Sequence, residues 1–221
     1  MTLFSPLGFM PKLVMFDLDG TLVDSVADIA LSLNRALGDL GLPAVSELQV
    51  RTWVGRGASR LIYCVLEQGH RSPALHDELL ARFMARYQES VCEVSTVYPG
   101  ARELLLACKA AGLHLACVTN KPYAPAKALL EALDLIEPFD LLLGGDSLPH
   151  KKPHPGPLQH CLQHFGVTAA QSLMVGDSRN DVEAARAAGV RVVAVPWGYN
   201  HGEPIEAAQP DWLVDSLQEL L

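Results

Sequence analysis

With 221 residues the chain has room for one large domain, or for a domain carrying an insertion. Hydrophobic residues at 49% and charged residues at 19% supply enough apolar surface to offset the entropy of ordering, which excludes wholesale disorder. The net charge of -8 repels phosphate backbones and anionic lipid, so neither nucleic acid nor a membrane is expected as a partner.

The opening MTLFSPLGFMPK is mildly apolar, but it lacks a basic leading region and a small-residue cleavage site. No stretch approaches the roughly 20 apolar residues of a membrane-spanning helix. The five cysteines, Cys64, Cys92, Cys108, Cys117 and Cys161, are scattered and never spaced C-x-x-C, which predicts neither a disulfide framework nor a zinc knuckle. These features fit a soluble protein of the reducing cytoplasm.

Short apolar runs recur along the chain at 13–16, 113–118, 141–143, 172–175 and 191–195, with helical patterns between the later ones. Such runs predict parallel strands buried on both faces by crossover helices, an α/β fold. Nearly a hundred residues separate the first run from the second, whereas later ones arrive every twenty to thirty. Within that gap, helical periodicity covers about 25–39, 57–66 and 74–92, with no convincing strand from Ser25 to Cys92. The pattern predicts an all-helical insertion, bounded by the turn after Thr21 and the Tyr98-Pro99-Gly100 break, that could cover the ends of the core strands. The Pro-rich stretch 149–157 reads as a loop turning into a helix at Pro157.

Polar groups gather where the apolar runs end. Phe16 leads directly into Asp17-Leu18-Asp19-Gly20-Thr21, two carboxylates spaced i and i+2. A solvated turn with a helix cap is the alternative for a bare D-x-D pair. Further strand ends add Thr119-Asn120, Asp146, Lys151-Lys152 in the following loop, and Gly176-Asp177 with Asp181. In open parallel sheets ligands bind beyond the carboxyl ends of the strands. A phosphoryl group needs a nucleophile, hydrogen-bond donors and positive charge; Asp17, Thr119 and Lys152 supply these types, and a metal held by Asp17 and Asp177 would neutralise the rest.

These segments resemble the four motifs of the haloacid dehalogenase superfamily: DLDGT at 17–21, Thr119-Asn120, Lys152 within KKPHP, and GDSRND at 176–181. More narrowly, the chain is similar to the bacterial phosphoglycolate phosphatases through FDLDGTLVDS at 16–25, TWVGRGA at 52–58, VTNKP at 118–122, GGDSLPHKKPHPGPL at 144–158 and GYNHGE at 198–203. The resemblance implies a Rossmann-like core over 1–24 and 93–221, and a helical cap over 25–92. It implies a magnesium-dependent phosphatase acting on a small phosphorylated metabolite, with 2-phosphoglycolate, giving glycolate and phosphate, as the first substrate.

Carried over by motif, Asp17 is the nucleophile that forms an aspartyl phosphate. Asp19 is the acid and base at the leaving oxygen, and its backbone carbonyl faces the metal. Asp177 is the other metal carboxylate, an oxygen-only set that suits Mg2+. Asp181 orients Lys152 or the metal waters. Thr119 and the backbone amide of Asn120 bind the phosphoryl oxygens, and Lys152, which precedes the proline of the K-P-x-P segment, neutralises them. Gly20 permits a tight turn, which Thr21 fixes by bonding to the backbone. Two positions depart from the pattern: Gly156 stands where aspartate is common, putting a helix cap in doubt, and Arg56 stands where a small polar residue is usual. The alternatives for Arg56 are a bidentate contact to a substrate carboxylate and a solvated surface position.

Other signals are weaker. Gly55-x-Gly57 has no preceding strand and has Arg60 at the third glycine position, so it fails as a dinucleotide loop. His160 and His164 share a helix face without a third ligand; His201 sits in the GYNHGE segment; Trp53, Tyr63 and Trp197 are of types that usually pack cores. Rival functions are the same hydrolysis on a sugar phosphate (including an amino-sugar 6-phosphate) or a nucleoside monophosphate, or a phosphomutase. A phospho-acceptor signalling domain shares the acidic pocket, threonine and lysine, but Asp19 is poised to destroy the acyl phosphate that such a domain must keep.

Overall fold

In this computed structural model, which describes residues 3–221, all four residues of the first apolar run are buried. The first two residues of the expected 1–24 segment lie outside the described part. The chain passes through β1 (Leu13–Phe16), β2 (Val23–Asp24), α1 (Val26–Gly38), α2 (Glu47–Trp53), α3 (Ala58–Gln68), α4 (His76–Glu89) and β3 (Thr96–Val97). It continues through α5 (Ala101–Ala110), β4 (His114–Val118), α6 (Tyr123–Ala132), β5 (Leu141–Leu143), α7 (Gly156–Phe165), β6 (Ser172–Gly176), α8 (Arg179–Ala188), β7 (Arg191–Ala194) and β8 (Trp212–Leu213).

Six strands form one parallel sheet in the order β5-β4-β1-β6-β7-β8, with Met15 opposite Ala116 on one side and Met174 on the other. Alternation along β1 sends Val14 and Phe16 into one apolar layer, with Leu104, Leu105 and Leu129 of α5 and α6. Leu13 and Met15 enter the opposite layer, with Leu158 of α7 and Val182 and Ala185 of α8. The fold is therefore α/β and Rossmann-like, as the buried runs predict. The chain leaves β1 toward β4 and β5, then returns to β6 on its other side, so the strand order reverses at β1, where crossover loops part and leave a crevice.

Helices α1 to α4 bury a separate cluster, including Leu33, Leu37, Val50, Trp53, Ile62, Leu66, Leu79 and Phe83. In α3 the buried residues Leu61, Ile62, Val65 and Leu66 form one stripe, the spacing of an amphipathic helix. Between this helical segment and the sheet, β2 and β3 pair antiparallel, Val23 opposite Val97. Buried Asp28, in the first turn of α1, accepts the backbone N–H groups of Glu93 (3.1 Å), Val94 (3.1 Å) and Ser95 (2.8 Å) and the Ser95 hydroxyl, fastening the returning chain to the departing one.

Three features depart from the sequence reading. Helix α2 carries the Ser46–Gln49 capping box, but only Val50 and Trp53 of its seven residues are buried, too few to show periodicity. The strands β2, β3 and β8 have two residues each, below the length at which alternation can be seen. The helix expected from Pro157 starts at Gly156; its first turn lacks an aspartate cap, and the His154 ring accepts the Gly156 N–H instead (3.0 Å).

Candidate active site

Asp17 directly follows β1, Thr119 follows β4, Asp177 follows β6 and Asp181 lies in the first turn of α8. Asp17, Asp177 and Asp181 each present a carboxylate oxygen within 4.8 Å of the others, the group of potential cation ligands found among the described residues. Burial is the main force raising Asp17 to about 6, with Lys152 opposing it. Burial also pushes Asp177 well above the usual carboxylate range, reinforced by Asp17 and Asp181. A cluster of three buried carboxylates is stable at neutral pH only beside compensating positive charge.

Lys152 supplies part of that charge. Its ammonium lies 2.9 Å from Asp17 Oδ1 and 2.6 Å from Asp181 Oδ1, and donates to the Val118 carbonyl at 2.5 Å. Burial lowers its affinity for a proton, but the two aspartates more than offset this and hold it charged. Asp181 Oδ2 accepts the backbone N–H (3.1 Å) and hydroxyl (2.8 Å) of Ser178, so both its oxygens are engaged and the residue acts as a fixed support for Lys152. Asp177 accepts Thr21 Oγ1 (2.9 Å) and the Tyr199 backbone N–H (2.6 Å). The Thr21 hydroxyl thus orients a carboxylate instead of bonding to its own turn. Gly20, at φ +88°, is required twice over: L side chains rarely adopt that conformation, and a Cβ there would overlap Asp177.

These residues suit a hard divalent cation. The ligand types are all oxygen, and Asp17 Oδ1 is buried without an aligned hydrogen bond. Asp17 and Asp177 keep more oxygen lone pairs free than Asp181, which already accepts Lys152 and both donors of Ser178.

Asp19 sits on the other side of the β1 end. Its Oδ1 accepts the Ser25 hydroxyl (2.5 Å), and its two oxygens accept Lys121 Nζ at 2.9 and 3.1 Å. Lys121 is buried; burial lowers its proton affinity, and Asp19 and Tyr87 more than restore it. Its ammonium also stands 4.5 Å from the Tyr87 ring centroid in α4, linking Asp19 to the helical segment. The sequence reading missed this lysine, although it lies two positions after Thr119 within VTNKP; nothing local shows that it reaches back to Asp19, 102 positions away. Buried Thr119 accepts the Lys121 N–H (3.1 Å) and keeps its hydroxyl hydrogen to donate. The Asn120 side chain donates to the Lys152 carbonyl (2.8 Å) and the Gly55 carbonyl (2.9 Å), which also accepts Asn180 Nδ2 (3.2 Å).

An open cavity brings together Asp17, Asp19, Thr119, Asn120 and Lys121 with residues of α1, α3 and α4. Arg56 is exposed and does not line it. Lys151 is half-buried, its ammonium against Gly57. Asp146 is exposed and accepts the Tyr123 N–H (2.7 Å), starting α6. His160 and His164 stack on the surface of α7. His201 lies near the Thr52 carbonyl (3.2 Å) and Asn180 (3.5 Å). Trp53 is buried among the helices, Trp197 packs beside Tyr98, and Tyr63 is 48% exposed, so none of the three lines the cavity.

Residues 14–195 match the family model described as haloacid dehalogenase-like hydrolase. The chain is 47% identical over 218 residues to a phosphoglycolate phosphatase of Pseudomonas putida, covering 97% of this chain and 80% of that protein. It is 42% identical to one of Nitrosococcus oceani, with 95% of each covered. Among solved structures, a predicted phosphoglycolate phosphatase from Haemophilus somnus superposes with a TM-score of 0.89 at 41% identity, covering 95% of this chain and 96% of the other. CbbY from Rhodobacter sphaeroides in complex with phosphate superposes at 0.82 with 27% identity, covering 96% of each chain.

Proposed function

The chain belongs to the haloacid dehalogenase-like hydrolases, and from that premise we propose that it hydrolyses a small phosphate monoester, 2-phosphoglycolate first, through an aspartyl phosphate on Asp17. The observation that carries the proposal is the buried ammonium of Lys152, 2.9 Å from Asp17 and fixed by Asp181 beside Asp177. Lys152 offers the phosphoryl oxygens positive charge there, and an Asp17 oxygen remains available to attack phosphorus. The relatives named phosphoglycolate phosphatase support the choice of ester.

The Asp17 carboxylate oxygen attacks phosphorus in line, and the bond from phosphorus to the ester oxygen breaks. Asp19 gives the departing alkoxide a proton, so the alcohol leaves neutral at that oxygen. Water then attacks phosphorus and passes a proton to Asp19; the bond to Asp17 breaks, and inorganic phosphate leaves. Thr119 and Lys152 hold the phosphoryl oxygens throughout. Mg2+, when bound by Asp17, Asp177 and the Asp19 carbonyl, supplies the positive charge that lets these carboxylates and the phosphoryl group share one site.

Residues 25–92 act as a cap over a core of 1–24 and 93–221. Its apolar face excludes water while the acyl phosphate exists. The reading places the reaction in the cytoplasm, in keeping with five unpaired cysteines. Among the described residues no helix is long and apolar enough to cross a membrane.

Phosphate release from a panel of small esters, with magnesium, tests the reading. Preferred turnover of 2-phosphoglycolate, reduced about a thousandfold or more by Asp17→Asn, is expected. Undiminished turnover in that variant removes the nucleophile, and preference for a sugar phosphate or nucleotide replaces the substrate.

A further inference from the structure

The cavity wall contributed by the helical segment is apolar where Ile29, Val54, Leu61, Phe83 and Met84 face it. Three donors interrupt this surface, and none has its capacity filled. The Lys121 ammonium carries three N–H groups, of which the Asp19 oxygens take two. The Tyr87 hydroxyl is buried beside the Lys121 ammonium, which can only donate to it, so its own hydrogen has no acceptor. Burial pushes the phenol up to about 12, so at neutral pH it is an O–H donor. Helix α3 begins at the cavity, where Gly57 and Ala58 line it; its N-cap has no side chain and its first turn no acidic residue, so its leading N–H groups are left without an intramolecular acceptor.

We infer that Lys121, Tyr87 and the start of α3 form a subsite for a carboxylate carried next to the ester oxygen, and that this subsite selects small phosphorylated hydroxy acids over uncharged esters. The inference rests on the phosphatase reading, which puts Asp19 at the leaving oxygen. Because Lys121 holds Asp19, its ammonium is within reach of a group two bonds from that oxygen. That is where the carboxylate of 2-phosphoglycolate lies. A buried ammonium that Asp19 occupies only in part, a phenol whose hydroxyl hydrogen has no acceptor and a helix N-terminus all offer donors to an anion, and a neutral alkyl group there would leave those donors unpaired. Arg56, the residue suited by type to fork a carboxylate, is exposed and does not line the cavity.

Binding in an Asp17→Asn background, with magnesium present, separates the subsite from turnover. Titration calorimetry compares 2-phosphoglycolate with ethyl phosphate, which carries an uncharged methyl group in place of the carboxylate. The subsite predicts at least about tenfold tighter binding of 2-phosphoglycolate, a preference that Lys121→Met reduces to about twofold and Tyr87→Phe lowers by about three- to fivefold. Tyr87→Phe removes one hydroxyl and leaves Asp19 and its lysine in place, so it stands if Lys121→Met fails to fold. Equal binding of the two esters, no detectable binding of either, a preference that survives both substitutions, or one lost only in Arg56→Ala would overturn the subsite. Steady-state phosphate release by the wild-type chain is read separately: turnover of both esters without preference removes the subsite and keeps the phosphatase, whereas selective binding without turnover does the reverse.

Discussion

At Asp17 burial has a consequence that a titration can read. Its carboxyl holds a proton up to about 6 in the folded chain, against 3.8 for the ordinary group, because burial, reinforced by the Asp181 charge, outweighs Lys152 and the Leu18 backbone N–H, which oppose it. With the folded value raised, its contribution favours folding below about pH 4 and is lost as pH rises through about 6. Above that, the ionised carboxylate opposes folding by an amount on the order of 1–3 kcal/mol. In chelator, Asp17→Asn is therefore expected to melt a few degrees above the wild type at pH 7.5, with the gap closing toward pH 4. Magnesium should close it at pH 7.5 by raising the wild type. Melting curves that stay parallel across this range would remove the electrostatic reading. The places of Asp17, Thr119 and Asp177 were legible because each directly follows an apolar strand. Lys121 was not, because its partner Asp19 and its packing against Tyr87 arise only when distant segments meet.

At the scale of elements, helix α1 starts without a side-chain cap of its own. The Tyr199 hydroxyl accepts the N–H groups of Ser25 (2.9 Å) and Val26 (3.2 Å) and donates to Asp24, while its backbone N–H holds Asp177. One residue of the loop after β7 thus fixes both the first helix of the insertion and a site carboxylate. Tyr199→Phe leaves two buried donors unpaired, which should cost about 1–3 kcal/mol and lower the melting temperature by several degrees. An unchanged melting temperature would mean that water satisfies those groups. Five of the sheet strands were legible because each is an apolar run buried on both faces. By contrast, α2 packs through only two residues, and β2, β3 and β8 are stabilised by long-range pairing instead of by their own composition.

For the whole molecule, one contact that joins the helical segment to the core over the site is the Gly55 carbonyl, which receives Asn120 Nδ2 and Asn180 Nδ2 from the loop after β4 and from α8. Asn180→Ala should speed amide hydrogen exchange around 54–58 and leave β1 unaffected, since the strand is buried between two layers that the amide does not touch. Faster exchange throughout the sheet would show that the amide supports the fold itself. The insertion was visible in the sequence as a long gap between strands, but the point at which it meets the core was not, because Gly55 contributes a backbone oxygen and no side chain. Hydrolysis by this route requires Asp17 to be transiently esterified. Acid quenching during turnover of 2-phosphoglycolate, followed by borohydride reduction and peptide mass spectrometry, should find the Asp17 side chain reduced to an alcohol, and Asp19 unchanged. Steady turnover with Asp17 unmodified at every quench time would contradict it.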